Sequence, residues 1–289
     1  MHMPTKRCST YLAKGGTGKS TSTAHIGAAL VEQDHDVLLL DLAGKQDDLA
    51  TIFGIHDSVQ ADVANDDAYP NIATTMEEDW SQLVDILGGP EAALDELVYE
   101  TSEGVDLIPA HESLDTMDAD LGNVDNAQER YSRLRRFLDK TVEPTDRYDV
   151  VLLDLPGAPN NLTYNGIWAT RDVLTPVLPG ELEVKQARGL RDDLVMIREE
   201  YDIDARLAML ILNQYQRGRN LSKRKHQELE EEFGDLLAPE WVVSSEQVAQ
   251  ATEEGHTLFA IDEDELTSTG ADAKAAFSEN AKALYERLR

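Results

Sequence analysis

The run KGGTGKST, Lys14 to Thr21, constrains this chain more than any other feature, because a glycine-rich phosphate loop dictates what must flank it. Such a loop needs a strand before it and a helix after it. Gly15, Gly16 and Gly18 then let backbone N–H groups curl around phosphate oxygens, and the helix adds its positive end. The flanks comply: Arg7 to Leu12 is a short strand candidate, and Ser20 to Val31 is an Ala-rich helix candidate with Ala24, Ala28 and Leu30 available to pack. Within the loop, Lys19 reaches the β- and γ-phosphates, the Ser20 hydroxyl can ligate Mg²⁺, and Thr17 and Thr21 complete the nucleotide-binding run. Every position fits K-G-G-x-G-K-[ST]-T, so Lys14 is one lysine more than nucleotide binding requires.

The rest of the chain repeats the strand–helix alternation. Asp36 to Asp41 (DVLLLD) and Asp149 to Asp154 (DVVLLD) are continuous apolar runs ending in a carboxylate, the form of strands buried on both faces of a parallel sheet. Val105 to Pro109, Val173 to Leu178, Leu207 to Asn213 and the weaker Trp241 to Val243 are further strand candidates. Helical stretches at Ala127 to Lys140, Glu183 to Tyr201, Leu221 to Phe233 and Ala271 to Leu288 separate most of them. The expectation is an α/β, doubly wound, mostly parallel sheet with helices on both faces and right-handed crossovers. Residues 1–289 are read as one domain. Gly54 to Gly104, with short helical runs at Asp57 to Ala68 and Met76 to Val98, is an elaboration on it.

In open α/β sheets, ligands sit beyond the carboxyl ends of the strands. Asp154 closes a strand in YDVVLLDLPG, the form of a Walker B segment, so its carboxylate is expected to hold Mg²⁺ through a water, with Pro156-Gly157 shaping the turn behind it. Asp41 closes the equivalent second strand and leads into Leu42-Ala43-Gly44-Lys45-Gln46.

These motifs together resemble the ParA/MinD (Soj-like) family of deviant Walker ATPases, with the likeness strongest at the loop. The resemblance implies ATP and Mg²⁺ as cofactors and a homodimer when ATP is bound. In it Lys14 reaches across the interface to the partner's nucleotide, as an arginine finger does. It also implies that Asn213, in LILNQYQRGRNLS, contacts the adenine, which an amide can do through both donor and acceptor edges. Lys14, Lys19 and Asp41 are the catalytic candidates. The family's D-x-D-P-Q is altered here: Asp41 matches, Ala43 replaces the second aspartate, and Gln46 stands one residue late at the glutamine. That second carboxylate helps position the attacking water in relatives, so here Asp47, Asp48 or Asp41 alone is left to do it. VVSSEQVAQATEEGHTLF resembles the segment before the last helix, without the usual proline and arginine.

Charge narrows the partners. The 56 acidic and 26 basic residues give a net charge of −30, spread over nearly every helix. A halophilic, haloarchaeal source would explain such self-repulsion, since salt screens it. Against this background Arg217, Arg219, Lys223, Arg224 and Lys225 place five cations within nine residues, partly in a loop and partly at a helix start, where they oppose the helix dipole. Phosphate binding accounts for that. In ParA-like proteins the ATP-bound dimer binds DNA without sequence preference, so nonspecific DNA and a ParB-like centromere-binding protein are the implied partners. A solvated face balanced by Glu228, Glu230, Glu231 and Glu232 is the alternative. Arg130, Arg133, Arg135 and Arg136 read as the exposed side of a helix.

One cysteine, Cys8, excludes an internal disulfide and cysteine-ligated clusters. With no apolar run long enough for a bilayer and no signal-peptide pattern at MHMPTKRCST, a soluble, cytoplasmic, nucleoid-associated protein is expected. The function expected is an ATP-dependent dimerising switch, a weak, partner-stimulated ATPase for chromosome or plasmid partitioning. A MinD-like membrane-positioning ATPase with an amphipathic Ala271 to Arg289, or a nucleotide-gated scaffold with little hydrolysis, are the alternatives.

Overall fold

The computed structural model describes residues 4–43, 48–65 and 69–289. Their strands are β1 (Lys6–Thr10), β2 (Val37–Asp41), β3 (Tyr99–Glu100), β4 (Asp106–Ile108), β5 (Val150–Asp154), β6 (Asp172–Val177) and β7 (Arg206–Leu212). They form one sheet in the order β3-β4-β2-β5-β1-β6-β7, parallel throughout except for the antiparallel pair β3–β4.

The apolar runs explain this architecture. Successive residues of a strand face opposite ways, and both faces here are dry: Leu38, Leu40, Val151 and Leu153 enter one core, Val37, Leu39, Val150 and Leu152 the other. Helices Asn161–Thr170 and Glu181–Tyr201 cover the first face; helices Lys19–Val31 and Ser268–Arg287 cover the second. Register then sets the site. Thr10, Asp41 and Asp154 are level, because β1 pairs with β5 through Thr10 and Asp154 and β2 pairs with β5 through Asp41 and Asp154. Chain order reverses at β1, between β5 and β6, the switch point where open sheets bind ligands.

Several expectations need correction. Trp241 to Val243 is not a strand; Val243 forms only an isolated bridge to Tyr215. The helix expected over Ala127 to Lys140 is broken into Ala127–Tyr131, Arg133–Phe137 and a π turn at Leu138–Val142. The cause lies in the neighbouring helix: the Asn165 amide donates to Arg130 O (3.0 Å) and accepts from Leu134 N–H (3.3 Å), substituting for ladder bonds at the break. Arg133 is accordingly not on an exposed side. It is buried, donating to Met76 O and Glu78. Helix Asn161–Thr170 has no counterpart among the sequence expectations, although its Asn160 cap is well formed, the side chain accepting from Thr163 N–H at 2.9 Å.

The segment Gly54 to Gly104 supplies helices His56–Ala64, Trp80–Leu87 and Pro90–Asp95 and the edge strand β3. Trp80 anchors it, its indole N–H donating to Thr141 Oγ1 at 2.9 Å. In helix Ser268–Arg287, Ala276, Phe277, Ala281 and Leu284 are buried, as is Leu288 just beyond it, while Ala275 is exposed. The apolar side is therefore packed into the core. No helix among the described residues is long and apolar enough to cross a membrane.

His25 ties the first helix to the last. Its ring stacks on Phe277 (4.7 Å between centroids), Nδ1 meets Thr21 O, and Nε2 accepts from Leu258 N–H at 3.3 Å. Burial brings its pKa from 6.5 down to about 4, against the opposing pull of the Thr21 carbonyl. A depressed folded-state value means the stabilisation is full above pH 6.5 and is lost as pH falls toward 4. Over that window the residue should cost the fold about 3 kcal/mol, at roughly 1.4 kcal/mol per pH unit. Urea titrations should show a correspondingly shallower pH dependence for His25→Leu; identical slopes would refute the assignment.

Candidate functional site

The phosphate loop lies at the carboxyl edge of the sheet. Gly16 (φ 74°) and Gly18 (φ 86°) adopt left-handed backbone, which lets consecutive amides turn toward one concavity. A Cβ added at Gly15 or Gly16 would meet nothing within 4 Å, so no protein group crowds the cradle there, whereas one at Gly18 would collide with Asn213 Nδ2. Thr17 is buried and Thr21 half-buried beside it. The helix begins at Lys19, with Ser22 N–H donating to Gly18 O at 2.8 Å.

Around the loop the expected polar groups converge. The Ser20 hydroxyl lies 2.5 Å from Asp154 Oδ2 and 3.2 Å from Asp48 Oδ2. Asp154 is fully buried, and its Oδ1 is among the buried polar atoms without a hydrogen-bond partner. Burial, and Asp41 level with it on the next strand, push the Asp154 carboxyl well above the usual range, while Ser20 and Lys19 pull it back. Lys19 is shifted the other way: burial lowers its pKa and Asp154 and Asp48 oppose that. Its ammonium donates to Lys14 O at 2.9 Å. A Cβ at Gly157 would sit 3.2 Å from that ammonium, so the turn after β5 needs glycine to come so close.

This donor set suits a hard divalent cation with a nucleotide. No group of three carboxylate, histidine or cysteine side chains among the described residues forms a cage by itself. Mg²⁺ does not need one, because it takes one or two protein oxygens and completes its shell with phosphate and water. The Ser20 oxygen and the unpaired Asp154 Oδ1 are such oxygens.

Asp41 is buried and braces the following loop, Oδ1 accepting from Ala43 N–H (2.8 Å) and Oδ2 from Leu49 N–H (3.4 Å). Gly44 to Asp47, including the candidates Gln46 and Asp47, lie outside the described residues. Asp48 is brought to Ser20, and Ala43 offers no carboxylate.

Lys14 carries a contact that the sequence did not suggest. Its ammonium pairs with Glu183 in the first turn of helix Glu181–Tyr201, and Gln186 of the same helix donates to Ala13 O at 3.2 Å. The partners are 169 residues apart. The only local signal was a carboxylate at a helix start, which the dipole alone would justify.

Asn213 follows β7 and is buried. Its Nδ2 donates to Thr17 O (3.0 Å) and its Oδ1 accepts from Gln214 N–H (2.9 Å). It therefore braces the loop, and keeps one N–H and one lone pair for anything else. It also lines a cleft of about 580 Å³ beside the loop, with Gly18, Thr21, Gln214, Val243 and Ser245. Phosphates on the loop amides and a base in this cleft would together fit a nucleotide.

The basic cluster divides. Arg217, Arg219, Lys223 and Arg224 are exposed, and Arg217 pairs with Asp272 at 2.5 Å. Arg219, Lys223 and Arg224 form no ion pair among the described residues. Lys225 is a correction: it is 2% exposed, its ammonium bound by Glu181 and Glu228, so it belongs to the packing of helix Asn220–Phe233 on helix Glu181–Tyr201 and cannot serve a surface. A buried cation has to be paired, and here two carboxylates pair it.

Comparisons agree with the geometry. A family model described as "AAA domain" matches residues 5–204. Over 249 residues the chain is 26% identical to the chromosome partitioning protein ParA of Caulobacter vibrioides, covering 86% of this chain and 84% of that one. Among solved structures, cobyrinic acid a,c-diamide synthase of Mycobacterium smegmatis, with bound ADP and magnesium, is 25% identical with a TM-score of 0.65, covering 86% of this chain and 91% of that one. An ATP complex of Cyanothece McdA shares the fold with a TM-score of 0.72 at 20% identity, over 97% of this chain and 96% of that one. With a glycine cradle, two lysines and two level carboxylates at the sheet's switch point, the chain belongs to the AAA-domain family as one of its ParA/MinD-like P-loop ATPases.

Proposed function

We propose that this protein is an ATP-dependent dimerising switch that partitions or positions a DNA-borne cargo, with ATP and Mg²⁺ as its ligands. The observation that carries the reading is the convergence of Lys19, Ser20 and Asp154 on one glycine cradle, with the ammonium of the extra lysine, Lys14, held beside it by Glu183.

In this reading the loop amides and Lys19 hold the β- and γ-phosphates, Ser20 and Asp154 hold the cation, and the cleft at Asn213 takes the base. Bound ATP·Mg supplies the transferable phosphoryl group and the charge that neutralises the buried carboxylates. Lys14 is the group that leaves home. It exchanges Glu183 for the nucleotide of a second copy, whose several charged phosphate oxygens outweigh a single carboxylate. Asp48 stands in for the carboxylate missing at Ala43, because it is the acid held beside Ser20, and it orients the attacking water. The exposed and unpaired Arg219, Lys223 and Arg224 contact DNA phosphates in the dimer. A membrane-attached relative is the weaker reading, as the last helix buries its apolar side in the core.

Three measurements test these roles. Lys19→Ala should abolish nucleotide binding, while Lys14→Ala should bind ATP nearly normally but stay monomeric on sizing with ATP·Mg at molar KCl; equally weakened binding in both would overturn the division of labour. Asp48→Asn should lower phosphate release by about 10²-fold with ATP affinity changed far less, and an unaltered rate would remove Asp48 from the chemistry. Reversing Arg219, Lys223 and Arg224 to Glu should leave ATP affinity alone and flatten the plot of log affinity for DNA against log salt by roughly 0.9 for each phosphate no longer neutralised. An unchanged slope would discard the patch.

A further inference from the structure

Away from the nucleotide site, at the amino edge of the sheet, a cleft of about 440 Å³ opens where β1 and β6 begin. Arg7, Arg135, Arg171 and Arg289 all line it, in a chain where acids outnumber bases by 56 to 26. Its carboxylates are already engaged. Arg7 holds Asp139 (2.6 Å) and Glu143 (2.8 Å), and Asp172, only 2% exposed, takes Arg206 (2.6 Å) and Arg289 (3.1 Å).

Two cations are left with capacity. Arg135 has a single ion pair, at 3.3 Å, to an Asp139 that it shares with Arg7. Arg171 has no ion pair or side-chain hydrogen bond among the described residues. Burial, then Arg135 and Arg289 nearby, disfavour its charged form, and Asp139 and Asp204, nearby but not paired with it, offset this only in part. Its backbone is also in the left-handed region, φ 63°, between helix Asn161–Thr170 and β6, a conformation unfavourable for an arginine. A guanidinium with no carboxylate paired to it, facing like charges across a cleft, is stabilised by a bound anion.

We propose that this cleft is a second ligand site, independent of the nucleotide site, which takes a small molecule bearing a phosphate monoester. Arg171 and Arg135 grip the phosphate. A dianion answers two guanidinium groups, whose planar forks match phosphate oxygens. The volume exceeds that of a bare phosphate and leaves room for the rest of the molecule.

The test uses the full chain saturated with a non-hydrolysable ATP analogue and Mg²⁺, so that the loop offers no phosphate position. Inorganic phosphate and phenyl phosphate are titrated calorimetrically at fixed KCl, with benzoate as a monoanionic comparison. One saturable site is expected, preferring phenyl phosphate over benzoate. Arg171→Gln and Arg135→Gln should each weaken it at least about tenfold, with affinity for the ATP analogue unchanged as proof of folding. Arg171→Lys should recover only part of the binding, because a lysine cannot present the fork. The proposal fails if no saturable binding appears, if benzoate binds as tightly as phenyl phosphate, or if the folded Gln variants bind as wild type does.

Discussion

The structure turns on two carboxylates that a parallel register forces together. Asp41 and Asp154 end neighbouring strands at the same level, both without solvent exposure, and like charges so placed cannot both remain ionised without a large penalty. Burial already favours the neutral form of Asp154, and Asp41 adds to it. The pair is thus an electrostatic deficit that a bound cation would relieve. In the proposed reading, a cation bound against the pair would therefore favour its ionised form and release a proton.

Around this deficit the loop is braced from three sides. Asn213 holds Thr17 from beyond β7, Gly157 brings the turn after β5 against Lys19, and Glu183 holds Lys14 from the helix after β6. Each brace joins the loop to an element that follows a different strand. The loop is thus joined by side-chain contacts to helix Glu181–Tyr201 and, through Lys225 and Arg188, that helix to helix Asn220–Phe233, at whose start the exposed cations lie.

What was legible in the sequence was local. KGGTGKST shows its strand, turn and helix within a few residues, and VLLLD and VVLLD betray burial on both faces by lacking alternation. The features that escaped are mostly long-range. The break at Ser132 depends on Asn165, the burial of Lys225 on Glu181, and the capture of Lys14 on Glu183, and none of these partners is near in sequence. β3 was missed for another reason. Two residues, Tyr99 and Glu100, on an antiparallel edge have too little apolar content for any period to show. Charge counts likewise misled at Arg133 and Lys225, because a count registers a cation without its partner.

The two edges of the sheet are also separated by it. β1 runs from Lys6 to Thr10, with Arg7 near the arginine-lined cleft and the phosphate loop beyond the other end. At about 3.3 Å per residue, five residues span roughly 16 Å. That exceeds the Debye length of about 8–10 Å at ordinary ionic strength and far exceeds the ~3 Å of molar salt. A charge bound at one edge is therefore nearly invisible to the other through solvent. Any coupling between them has to run through packing, and β1 is the most direct link, paired with β5 along its whole length but with β6 only at Ser9 and Thr10.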